Sequence, residues 1–129
     1  MLLSTTVMAD NLVTHNGSLM NVSQDQFGIV RIVYVDPRPG LQDIGIFPGV
    51  LLIQGRWVAP NHFEGAANVF ACGQSWPYQV QGGIGPDHVL LLEGPAPVIG
   101  ATWGWGCGLL GYIWNTPNAH LAFVPYVGH

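Results

Sequence analysis

Glycine or proline breaks this chain every few residues, and that punctuation excludes long helices. There are 18 glycines and 10 prolines in 129 residues, and no stretch between them carries the apolar period of an amphipathic helix. What lies between them is β-branched and aromatic. GIVRIVYV (28–35) is broken only by Arg31, and VLLIQGRWVA (50–59) carries Gly55 as a bend. HFEGAANVFA (62–71) is helix-tolerant, yet its period of two puts Phe63, Gly65, Ala67 and Val69 on one face. PYQVQGG (77–83) and HVLLLEG (88–94) are expected to pair across the turn IGPD. GLLGYIW (108–114) and AHLAFVPYV (119–127) are expected to form a last hairpin across NTPN. Asn16-Gly17 is a two-residue hairpin signal between short extended pieces. The segment DPRPGLQDIGIFPG (36–49) has no strand pattern and reads as an ordered excursion across one end of the domain. The expected fold is all-β: a single small barrel or sandwich of seven to eight mostly antiparallel strands, with a partly open SH3-like barrel favoured.

The length fits one domain. Only 8% of residues are charged, against about 25% in an average domain, while 49% are apolar. Mean hydropathy is +0.33. The chain therefore either presents a neutral surface or hides apolar surface in an assembly. It has no lysine. Its cations are Arg31, Arg38 and Arg56 against seven carboxylates, for a net charge of −4. That balance excludes the basic stripe of a nucleic-acid binder and argues against an anionic membrane surface. No apolar run approaches the roughly 18 residues that span a bilayer. MLLSTTVMAD suggests the remnant of a signal peptide over 1–9, or else a frayed terminus, ahead of a single β domain over 10–129. The expected location is periplasmic or secreted.

Cys72 and Cys107 suit one disulfide in an oxidising compartment, or two buried free thiols. A bridge closing that loop would stabilise the fold by roughly 4 kcal/mol in the chain-entropy model. Catalytic signals are weak. Ser18, Ser75 and Cys72 are nucleophile types, and His15, His62, His88 and His120 are base types, but no nucleophile-elbow motif occurs. Glu64 and Glu93 would make a glycosidase pair only if their carboxyls lay about 5–10 Å apart. Isolated exposed side chains are the simpler reading, and no catalytic residue is assigned. Histidines are scattered without HxH or HExxH, and Asp36, Asp43 and backbone carbonyls of the glycine-rich excursion make only a thin Ca²⁺ set. No metal or cofactor is assigned.

Two features remain. Arg38 sits between Pro37 and Pro39, which fixes its backbone. A pre-set guanidinium fork suits a carboxylate or phosphate, but pairing with Asp36 or Asp43 to lock the loop is the preferred reading. The second feature is ATWGWGCGLLGY (101–112). Trp103 and Trp105 share one face if the segment is extended, and Trp76 lies four residues after Cys72. A disulfide would bring these segments together. The cysteine end is expected to be core wall, with Trp103 exposed as a stacking platform or partner anchor.

VYVDPRPGLQDIGIFPGVLLIQGRW, FEGAANVFACGQSWPYQVQG, LLLEGPAPV and CGLLGYIWNTPNAHLAFVP together resemble a group of uncharacterised small secreted proteins of alphaproteobacteria, chiefly rhizobial. The matching positions are His15 to Ser18, Tyr34, Pro37 to Leu41, Gly65-Ala66, Phe70, Cys72, Tyr78, Val80, Gly82, Gly94 to Pro97, Cys107, Gly111-Tyr112 and Leu121 to Phe123. The resemblance spans residues 14–125. It implies an exported domain with a Cys72–Cys107 bridge and implies no activity. The segment between Pro97 and Cys107 departs from the group in being rich in tryptophan.

The functional expectation is an exported, non-catalytic binding domain that recognises a glycan, an envelope component or a partner protein. Trp103, Trp105, Trp76 and Arg38 are its candidate contact residues. The alternative is a structural subunit of a homo- or hetero-oligomeric assembly, and the third reading is a small hydrolase.

Overall fold

The computed structural model describes residues 11–102, 104 and 106–127. The expected leader, Trp103 and Trp105 therefore lie outside the described residues. Ten strands form: β1 (Leu12–His15), β2 (Ser18–Gln24), β3 (Val30–Asp36), β4 (Leu51–Ala59), β5 (His62–Ala71), β6 (Gln74–Ile84), β7 (Leu90–Glu93), β8 (Ala96–Thr102), β9 (Gly106–Ile113) and β10 (His120–Pro125). Eight of them close a barrel in the order β1-β10-β7-β6-β5-β4-β3-β2, with every pairing antiparallel. This is an up-and-down meander into which the β8–β9 pair is inserted between β7 and β10. The fold is all-β as expected. The barrel is closed rather than partly open, because β1 pairs with both β2 and β10.

Period-two patterning explains the strands. Val30, Ile32 and Tyr34 on β3 point inward, as do Tyr78 and Val80 on β6, Leu90 and Leu92 on β7, and Leu121 and Phe123 on β10. Phe63 and Ala67, which the period of two puts on one face, are fully buried, and this helix-tolerant segment is a strand. Outward positions such as Gln54, Arg56, Glu64, Gln79 and Gln81 are exposed. The outer face also carries exposed apolar side chains, among them Val35, Val58, Leu91 and Val124. Among the described residues, no helix is long and apolar enough to cross a membrane.

The Asn16-Gly17 signal makes the β1–β2 turn, with both residues at positive φ (49° and 84°). Residues 37–50 are irregular apart from a 3₁₀ turn at Leu41–Ile44, flanked by Gly40 and Gly45 in the left-handed region. Leu41 and Ile46 from this segment are buried, so the excursion packs onto the barrel.

The expected final hairpin is corrected. β9 pairs with β8, while β10 pairs with β7 and β1. Leu121 and Phe123 must face inward, and the partners that allow this are Leu92 and Leu90. β9 is punctuated by Gly106, Gly108 and Gly111 and offers no matching apolar face.

Cys72 and Cys107 form a disulfide with a Cα–Cα distance of 6.2 Å. Both cysteines are exposed. The expectation that the cysteine end of 101–112 is core wall is therefore also corrected, since no residue of β9 is buried. The bridge ties the β5–β6 turn to the inserted hairpin at the surface. The core lies inside the barrel instead.

Candidate functional site: the barrel mouth

Antiparallel alternation gathers one set of connections at one end of the barrel. The β1–β2 turn, the 37–50 excursion, the β5–β6 turn and the path from β7 to β10 all lie there. Between them opens a cavity of about 250 Å³. An eight-stranded barrel is just wide enough to be filled by side chains or to admit one small ligand. Here the strands are filled over most of their length, and space remains at this mouth.

The cavity has an apolar side and a polar side. Leu41, Ile44 and Ile46 of the excursion meet Leu52, Phe70 and Leu121 of the strands. The polar lining comes from His15, Asn16, Ser18 and Tyr34, together with Arg38, Asn68, Tyr78 and Asn118. No aspartate or glutamate lines it.

These polar groups are held by specific bonds. The His15 ring is buried, stacks on Phe123 at 4.6 Å, and donates from Nδ1 to the Ala122 carbonyl at 2.9 Å. That bond places the proton on Nδ1 and leaves Nε2 as an acceptor, which faces Asn16 Nδ2 at 3.4 Å. Burial pushes the imidazole below its ordinary value; the Ala122 bond opposes this and the Arg38 charge adds to it. His15 is therefore mainly neutral at neutral pH. Tyr78 donates its hydroxyl to the Asn118 carbonyl at 2.5 Å. Burial, with neighbouring Tyr34, pushes the Tyr78 phenol up to about 12. Burial also raises Tyr34, against the opposing charge of Arg38. Both phenols thus remain protonated donors. Asn68 reaches the Leu51 carbonyl at 3.3 Å.

Arg38 sits at the rim. Its backbone N–H donates to the buried Ser18 Oγ at 2.9 Å. Its stem lies over the Gly17 turn, where a methyl group would meet Cβ and Cδ at 3.7 Å. The expected locking pair is not made: among the described residues, no carboxylate lies within 4.0 Å of the Arg38 guanidinium, whereas Arg31 pairs with Asp25 at 3.1 Å. Asp36 ends β3 and Asp43 lies in the 3₁₀ turn, and both are exposed, so water competes with any such pair.

The other sequence candidates lie elsewhere. Trp76 is half-buried and donates Nε1–H to the Ala71 carbonyl at 3.1 Å, bracing its own hairpin. His15 and Ser18 face each other in register, but Nε2 faces Asn16 and Oγ accepts the Arg38 N–H. No nucleophile–base bond joins them. Glu64 and Glu93 are not isolated. They flank Gln81 in one cross-strand row on the outer face, in a groove shared with Trp114 and Gln79. Each carries a histidine neighbour, His62 at 3.0 Å and His120 at 3.9 Å. Two strand spacings separate the two glutamate backbones by about 10 Å.

Sequence reasoning did not single out Tyr34, Asn68, Tyr78 or Asn118. The tyrosines carried a signal: each takes an inward position of an alternating strand, where a phenol needs a partner. Asn118 carried none, because its place depends on the route of the chain between β9 and β10. Comparison with protein-family models, with curated proteins and with solved structures finds no match.

Proposed function

We propose that this is an exported, non-catalytic binding domain whose recognition site is the barrel mouth beneath the 37–50 excursion. One observation carries the reading: a cavity of about 250 Å³ that combines an apolar side with convergent, restrained polar groups. Binding sites for small molecules have this composition. The volume falls just under the roughly 300–1,000 Å³ of drug-sized sites, which favours a small ligand. A disulfide in so small a domain supports an oxidising compartment, and the resemblance to exported alphaproteobacterial proteins points the same way. The test is a small-molecule screen read by amide chemical shifts. Hits should move Tyr34, Asn68 and Tyr78. Hits that move only residues of β9 would overturn the assignment.

A second reading keeps a glycan as the ligand and rests on the outer groove. There Glu64, Gln79, Gln81 and Glu93 offer hydroxyl partners beside the exposed Trp114, an arrangement suited to a sugar ring on an indole face. Trp114→Ala should then abolish glycan binding and leave small-molecule hits at the mouth untouched.

A further inference from the structure

We propose that the barrel mouth takes a small monocarboxylate, with its carboxylate on the Arg38 guanidinium and its apolar body against Ile44 and Phe70. This rests on the reading of the mouth as the binding site and names the chemistry of its ligand. Three observations carry it.

The first is charge. Arg38 is the cation of this lining, no acidic side chain lines the cavity, and no carboxylate among the described residues lies within 4.0 Å of the guanidinium. Such a wall attracts an anion and repels a cation. The second is restraint. Prolines flank Arg38, its N–H is tied to Ser18 Oγ, and its stem rests on the Gly17 turn. A guanidinium held this way presents two parallel N–H donors, the geometry that matches a planar carboxylate. The third is the balance of the remaining lining. Tyr34 and the side-chain amides of Asn16 and Asn118 are neutral groups, and the other side of the cavity is aliphatic or aromatic. One positive charge balances a monoanion. A phosphate dianion would stay undercompensated in a chain of net charge −4, and it would leave the apolar side unused.

The experiment titrates the intact, oxidised protein with acetate, hexanoate and benzoate, with their primary amides, and with inorganic phosphate. Binding is followed by the amide shifts of Tyr34, Asn68 and Tyr78. At least one acid should bind at the mouth, and its amide should bind about tenfold more weakly or worse, as expected for loss of a charge-assisted pair. Arg38→Gln should bring the acid down to the level of its amide. Its thermal midpoint should stay unchanged, because the Ser18 bond uses the backbone. If acid and amide bind alike, or if Arg38→Gln leaves acid binding intact, the carboxylate assignment is overturned and the cavity reading stands. Phosphate binding tighter than every acid would also overturn it. If no acid and no amide moves those residues, both proposals fall.

Discussion

The barrel and its inserted hairpin are both antiparallel β-structure with regular ladders, yet they are held by different forces. β5 has a partner on each side and buries Phe63 and Ala67 completely. β9 has β8 as its sheet partner and leaves Leu109, Leu110, Tyr112 and Ile113 exposed. The hairpin meets the barrel at its base, where Ala96 and Pro97 are buried and β8 leans on β5 and β6. At its far end it is held by the Cys72–Cys107 bond. Burial stabilises the barrel; a covalent link restrains the part that burial does not reach. The same contrast bears on function, because convergent polar groups with an apolar wall occur at the barrel mouth, whereas the hairpin presents open surface.

The largest expected effect breaks the barrel alone. Phe63→Ala should destabilise the domain by about 3–5 kcal/mol in chemical denaturation, through lost burial and an unfilled cavity. Leu110→Ala on β9 should change stability by less than about 0.5 kcal/mol. Comparable losses from the two substitutions would show that the hairpin belongs to the core.

A smaller effect follows from the bridge. Reduction, or Cys72→Ser with Cys107→Ser, should cost about 2–4 kcal/mol. Hydrogen exchange sharpens the prediction: amides of β5 and β6 should lose protection by no more than that global loss, while amides of β8 and β9 open locally and exchange nearly unprotected. Protection in β8 and β9 equal to that in β5 and β6 after reduction would contradict the division drawn between the two regions.

The smallest effect is a pH dependence. Burial holds His15 below its ordinary value of 6.5, so the unfolded chain takes up the proton more readily than the folded one. The stability that depends on neutral His15 is full above about pH 6.5 and is lost as pH falls below it. His15→Gln should flatten the change in denaturation midpoint between about pH 7 and pH 5. An unchanged slope would mean that other groups set it.

Much of this fold was legible from local chemistry. The runs that form β3 to β7 are β-branched, aromatic or aliphatic and bounded by turn residues, Asn16-Gly17 fixes its hairpin, and the glycines and prolines of 36–49 exclude a strand over most of that segment. The end of the chain was less legible. β8 is a short apolar run containing Pro97 and Gly100, and β9 has glycines where a periodic face would show. Pairing there is decided by which strand must present Phe123 and Leu121 to the core, a demand set by the whole barrel. The mouth was harder still. Its residues run from His15 to Leu121 in sequence and converge only through closure of the meander. Arg38 stood out because of its prolines, but its separation from Asp36 and Asp43 is a matter of three-dimensional path.

The most direct measurement compares two variants against one ligand. A small molecule that shifts Tyr34 and Tyr78 would be titrated by calorimetry into Asn118→Trp, which fills the rim, and into the Trp103→Ala, Trp105→Ala double variant. Recognition at the barrel mouth predicts that Asn118→Trp abolishes binding with the barrel spectrum intact, and that the double variant binds as the wild type does. Binding retained by Asn118→Trp and lost in the double variant would move the site to the tryptophan hairpin and contradict the account.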